Sequence, residues 1–160
     1  MALSIAARDW LGAHIPDQAG RTVLITGANG GLGAATARHL AHAGAQVGLA
    51  CRRPDQAEAL AAEIGPAAQT LNLDLADLDS VKSAAASCGP VDTVIALAGV
   101  CHVPYGLTAN GFELHTGINH LGHFALVGQL LDRITDRVVV VTSRAHEFVG
   151  RRSEEHTSEL

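Results

Sequence analysis

Short apolar runs and amphipathic stretches alternate along this chain. Val23-Leu24-Ile25 is fully apolar and reads as a strand. Behind it come a glycine-rich turn and an Ala-rich stretch in which Leu32, Thr36, Leu40 and Ala43 share one helical face, with Gly44 as the stop. Gln46 to Ala50 reads as a second strand. Asp55 to Ile64 reads as a helix, with Ala57, Leu60, Ala61 and Ile64 at i, i+3, i+4 and i+7, closed by Gly65-Pro66. Gln69 to Leu73 is a third strand. Asp77 is a candidate N-cap for a helix whose buried stripe is Leu78, Val81, Ala85 and Cys88, ended by Gly89-Pro90. Val91 to Leu97 is a fourth strand. A long helix is expected from Gly111-Phe112 to about Ile134, then a fifth and most apolar strand from Arg137 to Val141.

The strands are solid apolar runs, as expected where helices cover both faces of a sheet. Strand and helix alternate with short connections, which predicts an α/β fold with a doubly wound parallel sheet. One domain is expected over 20–150, preceded by an arm at 1–19 and followed by a non-native polar tail at 151–160. That tail, from Arg152 to Leu160, is what agatcggaagagcacacgtctgaactc encodes, and the string resembles the start of a common short-read sequencing adapter. The natural sequence is therefore expected to continue past Gly150.

Composition narrows the function. The chain has 160 residues, 48% hydrophobic and 17% charged, which fits a buried core and not disorder. Net charge is −5 with no basic run, so nucleic acid is a poor partner. No apolar run is long enough for a membrane span. Three separated cysteines, Cys51, Cys88 and Cys101, support neither a zinc knuckle nor a disulfide framework. Together with the absence of a signal-like N-terminus, this points to a cytoplasmic protein. Glycine is enriched, at 17 residues, which suggests tight turns or close backbone approach to a ligand.

The glycines concentrate in Thr26-Gly27-Ala28-Asn29-Gly30-Gly31-Leu32-Gly33, between the first strand and the first helix. This is the context a dinucleotide-binding turn requires. Gly27 allows the sharp turn, Gly31 lets backbone approach a pyrophosphate, and Gly33 lets helix and strand pack closely. The phosphates then face free N–H groups at a helix N-terminus. An acid at the tip of the second strand would grip the ribose of NAD. Here Ala50-Cys51-Arg52-Arg53-Pro54 holds two arginines instead, suited to a 2′-phosphate. NADP is favoured over NAD.

With these residues in place, the chain resembles the short-chain dehydrogenase/reductase family over about Gly20 to Gly150. The Thr-Gly-x-x-x-Gly-x-Gly spacing at 26–33 is that family's fingerprint. Asp74, in Leu73-Asp74-Leu75, matches its adenine-contacting Asp, and Ala98-Gly99 matches half of its Asn-Asn-Ala-Gly turn. Asn119, in Asn119-His120-Leu121-Gly122-His123-Phe124, matches the Asn of the catalytic tetrad. Ser143, in Val141-Thr142-Ser143-Arg144-Ala145-His146, matches the catalytic Ser. The wording looks most like the retinol dehydrogenase and protochlorophyllide reductase branch. The resemblance implies a Rossmann-type sheet of order 3-2-1-4-5, here cut after the fifth strand. It implies hydride transfer between NADP(H) and a carbonyl or alcohol, with a homo-oligomer in the full-length protein. Ser143 would bond the substrate oxygen and Asn119 would hold a relay water. Cofactor contacts would come from Thr26, Gly27, Asn29, Gly30, Gly31, Leu32, Gly33, Arg52, Arg53, Asp74, Leu75, Ala98 and Gly99.

The chain departs from the family at two places. Ala96-Leu97 stands where the family has Asn-Asn, which braces the turn below the nicotinamide. No Tyr-x-x-x-Lys follows Ser143: the one Tyr is Tyr105 and the one Lys is Lys82, both upstream. These 160 residues therefore read as half a site and are expected to be inactive. The alternative from another class is a dinucleotide-binding sensor or scaffold without turnover. Retention of Asn119 and Ser143 favours the enzyme. His120 and His123, at i and i+3, are read as packing around Asn119 and not as metal ligands. Phe112, Phe124 and Phe148 are expected in the core or the cleft wall, and Trp10 in an arm that packs on the body and not as a binding anchor.

Overall fold

The apolar runs pair into one parallel sheet in the computed structural model, which describes residues 14–143. Its strands are β1 (Thr22–Thr26), β2 (Gln46–Cys51), β3 (Ala68–Asn72), β4 (Val91–Ala96) and β5 (Ile134–Val140), in spatial order β3-β2-β1-β4-β5. This is the predicted order. Register runs from Thr22↔Gln46 for β1–β2 and Val23↔Thr93 for β1–β4 to Thr93↔Arg137 for β4–β5. The order reverses beside β1, where the connections go first one way and then the other. A crevice opens at such a point beyond the carboxyl ends of the strands.

Alternating side chains of each strand feed two cores. Val23, Ile25, Val47, Leu49 and Cys51 meet Ala37 of α1 (Gly31–His42) and Ala57 and Leu60 of α2 (Pro54–Ile64). Leu24, Ala50 and Val94 meet Val81, Ala84 and Ala85 of α3 (Leu78–Ser87), and Leu126 and Leu130 of the helix before β5. Each fully buried Leu contributes roughly 1.5–3 kcal/mol relative to exposure. Asp77 caps α3 as expected, its carboxylate accepting the N–H of Asp79 at 2.9 Å. The start of β1 is tied down by Gln18 N–H donating to the Ala43 carbonyl at 2.7 Å.

Several expectations are corrected. The inward face of α1 is Gly33 and Ala37, and Leu32 is 72% exposed. Small residues win this face because α1 lies close over the glycine turn. β3 begins and ends one residue earlier than expected. The long helix is three pieces: α4 (Leu114–Thr116), a π-helical segment (Gly117–Gly122) and α5 (His123–Leu130), followed by a 3₁₀ turn (Leu131–Arg133). α5 buries His123, Leu126 and Leu130, so Phe124, one residue and about 100° round the helix, is 72% exposed. Phe112 is also exposed. β5 starts three residues earlier than expected. It lies at the sheet edge, where the expected order places it, but it is not the most apolar strand: its range takes in Thr135, Asp136 and Arg137, with Val139 and Val140 exposed. Trp10, Arg144, His146, Phe148 and the tail lie outside the described residues.

Candidate functional site

A cleft of about 450 Å³ lies where the topology predicts, over the carboxyl ends of β1, β2 and β4. Twelve of the sequence-predicted residues line it: Gly27, Asn29, Gly30, Gly31, Leu32, Gly33, Arg52, Arg53, Asp74, Leu75, Ala98 and Gly99. Its size falls in the range of small-molecule and cofactor sites. Ala50, Cys51, Leu73, Leu97, Val100 and Ile118 also line it and were not anticipated. The first four of these are strand-end positions that any occupant of the switch-point crevice would meet, so topology carried that signal.

The floor is set by backbone. Gly27 has φ +65°, and a Cβ there would come within 2.9 Å of Ala98 Cα. The turn continues with Gly30 N–H donating to the Gly27 carbonyl at 2.9 Å. Gly30 then caps α1 without a side-chain bond, so the first-turn N–H groups of α1 have no side-chain acceptor there. A Cβ at Gly31 would meet nothing within 4 Å. These features make a place for negative charge at a helix N-terminus.

The rim carries the polar groups. Arg52 and Arg53 are exposed at the end of β2. Asn29 Nδ2 donates to Gln56 Oε1 at 2.7 Å, tying the glycine turn to the first turn of α2. The Cys51 thiol, pushed up by burial, donates to the Arg53 carbonyl at 3.1 Å. Asp74 uses Oδ1 to accept the Ala76 N–H at 2.9 Å, and its own N–H donates to Ser80 Oγ at 2.9 Å.

Thr26, among the expected cofactor contacts, and the expected catalytic residues Asn119 and Ser143 do not line the cleft. Thr26 is fully buried beneath it, and its hydroxyl accepts the N–H groups of Leu97 and Ala98 at 2.9 and 3.0 Å. Thr26 thus braces the turn after β4 from below. Asn119 sits in the π segment, a form that often marks functional sites. Its side chain clamps Val100 from both sides, Oδ1 accepting the Val100 N–H at 2.8 Å and Nδ2 donating to its carbonyl at 2.9 Å. Gly122, the last residue of the π segment, packs where a Cβ would lie 2.5 Å from the Leu75 carbonyl oxygen. Ser143 is exposed just beyond β5.

Glu113 starts this helical run. Its carboxylate accepts the N–H groups of His115 and Thr116, both at 2.9 Å. Those N–H groups, with the His115 ring at 2.8 Å, hold its pKa down to about 2 from the usual 4.5. The cap therefore stabilises fully above pH 4.5 and is lost as pH falls through about 2. The urea midpoint gap between wild type and Glu113→Ala is expected to shrink over that window. A gap independent of pH would contradict the cap's role.

The sequence model of the short chain dehydrogenase family matches residues 21–152. Human retinol dehydrogenase 11 is 43% identical over 142 residues, covering 81% of this chain and 45% of that protein. A crystal structure of an uncharacterised protein from Mycobacterium paratuberculosis is 51% identical with a TM-score of 0.81, covering 84% of this chain and 50% of that one. A Brucella melitensis 3-ketoacyl-(acyl-carrier-protein) reductase, complexed with NADH, is 31% identical with a TM-score of 0.60, over 72% of this chain and 50% of that one. This chain spans about half the length of the curated relatives it matches.

Proposed function

The chain belongs to the short-chain dehydrogenase family, in its retinol dehydrogenase-like branch, and on that premise we propose that it is the dinucleotide-binding half of an NADP(H)-dependent oxidoreductase acting on a carbonyl or alcohol. The observation that carries the reading is the cleft itself. An uncapped helix start, a Gly27 that admits no Cβ and two exposed arginines face one crevice at the switch point of the sheet.

The donor set fits a dinucleotide phosphate. The first-turn N–H groups of α1 take the pyrophosphate, Arg52 and Arg53 take a 2′-phosphate, and Asp74 and Leu75 border the adenine. Ala98 and Gly99 border the nicotinamide. When bound, the cofactor supplies hydride transfer, chemistry that no side chain here can supply. Ser143 orients the substrate oxygen by a hydrogen bond. Asn119 holds a relay water, as the family resemblance implies, and through Val100 fixes the loop beyond Gly99. A proton must still reach the developing alkoxide. Neither Ser143 nor Asn119 is a tuned acid for that step.

The Brucella reductase carries NADH, so choice between dinucleotides is not a family constant. Here it rests on Arg52 and Arg53, in a stretch without an acid from Ala50 to Pro54. Arg52→Asp is expected to weaken NADPH roughly 10- to 100-fold, the scale of one charge-assisted bond of ~1.5–3 kcal/mol, while NADH binds nearly as before. Titration of both cofactors checks this, and equal losses would overturn the NADP preference.

A second reading keeps the cleft and drops turnover, making the protein a dinucleotide sensor or scaffold. It is favoured by Ala96-Leu97, which stands where the family has Asn-Asn. Reading the genomic frame past Gly150 separates the two.

A further inference from the structure

The turn after β4 is held by a buried chain of hydrogen bonds that the sequence resemblance does not assign. Thr26 Oγ1 already accepts from Leu97 N–H and Ala98 N–H. A hydroxyl has two acceptor lone pairs and one proton. Both lone pairs are used, so the proton points to a third group. Two acceptors are in reach, His123 Nε2 at 2.8 Å and the Ile95 carbonyl at 3.5 Å. The first is the well-placed one. On the far side of the same ring, His123 Nδ1 lies 3.1 Å from the Asn119 carbonyl, which can only accept. The tautomer follows: Nδ1 carries the proton and Nε2 is bare. His123 is only 7% exposed, and burial holds its pKa below the ordinary histidine value, consistent with a neutral ring.

We propose that His123 is a positioning residue that, through Thr26, fixes the Leu97–Gly99 wall of the cleft and couples it to the helical turn carrying Asn119. The proposal rests on the reading of this cleft as a dinucleotide site. Both walls depend on the same chain of bonds. Gly27 packs on Ala98 so closely that a Cβ would lie 2.9 Å away, and a Cβ on Gly99 would lie 3.2 Å from Asn119 Oδ1. Without an acceptor at position 123, the Thr26 proton is left with the distant Ile95 carbonyl and the Asn119 carbonyl loses its ring partner. The wall then gains freedom at the end of the cleft where β4 terminates. Arg52 and Arg53 are two strands away, about 10 Å, and share none of these bonds.

The test uses the full-length protein, with NADPH and adenosine 2′,5′-bisphosphate as probes. Wild type should bind both. His123→Leu should bind NADPH about tenfold more weakly while adenosine 2′,5′-bisphosphate is unchanged. His123→Gln, whose amide oxygen can accept from Thr26, should recover NADPH binding to within about threefold. Nitrogen-15 NMR of the wild-type ring needs no variant and should report the neutral Nδ1–H tautomer. NADPH affinity unchanged in His123→Leu, equal loss of both probes, failure of Gln to rescue, or an Nε2–H or imidazolium ring each overturns the proposal. A wild type that binds neither probe instead overturns the reading of the cleft, and needs no variant to be recognised.

Discussion

Gly33→Ala is expected to destabilise the protein by about 3 kcal/mol or more and to abolish measurable dinucleotide binding, whereas Gly31→Ala two residues away leaves the fold intact. A Cβ at Gly33 would sit 2.2 Å from the Gly27 carbonyl oxygen and 2.8 Å from Ala28 Cα. Both are backbone atoms that cannot swing aside, so α1 must lift off the glycine turn. Lifting it moves the helix start that faces the phosphates. At Gly31 a Cβ meets open space. Ala there gains helix propensity of up to ~1 kcal/mol, and its methyl occupies the approach a pyrophosphate needs. Stability should therefore hold or rise while affinity falls about tenfold, or ~1.4 kcal/mol. Urea midpoints and NADPH titrations of the two variants check the pair. A Gly33→Ala protein as stable as wild type would refute the packing account, and a Gly31→Ala protein with full affinity would refute the phosphate account.

The second large effect concerns the 160-residue polypeptide expressed alone. It should reduce no carbonyl substrate at a detectable rate, and it should self-associate. The chemical half follows from the proton. Loss of a general acid typically costs ~10²–10⁴ in rate. Tyr105 is upstream of Ser143 and 82% exposed, with no second Lys to tune a phenol. The physical half follows from β5. It pairs with β4 on one side and, among the described residues, pairs with no strand on the other. Val139, Val140 and Val141 are exposed along it, and Phe124 and Leu131 are exposed on and just after α5. An exposed apolar edge strand is a template for pairing between chains. Light scattering and NADPH consumption against a carbonyl panel check both halves. A monomer that melts cooperatively and oxidises NADPH would contradict them together.

The five strands and the glycine turn were legible because each rests on a local signal, whereas the sheet order and the places of Asp74 and Ala98-Gly99 came from the family resemblance. Five apolar runs gave five strands, and Thr26 to Gly33 placed the glycine turn at the crevice. Long-range packing was harder to read. Leu32 fits a helical stripe by spacing, yet the close approach at Gly33 turns Ala37 inward and leaves Leu32 at the cleft. The valines at 138–141 read as the fifth strand, but its first half, Ile134 to Arg137, is too polar to signal a strand along the chain. The π segment escapes any period of 3.6, since one wider turn leaves the apolar spacing nearly unchanged. Thr26 and His123 were each noticed for a local reason. Their hydrogen bond spans 97 positions and no pattern along the chain contains it.

The most direct test of the central claim is a fluorescence titration of the full-length protein with NADPH and, separately, NADH. The account predicts one saturable NADPH site, displaced by adenosine 2′,5′-bisphosphate, with NADPH at least about tenfold tighter than NADH, the scale of a single arginine–phosphate bond. No saturable binding of either dinucleotide would contradict it.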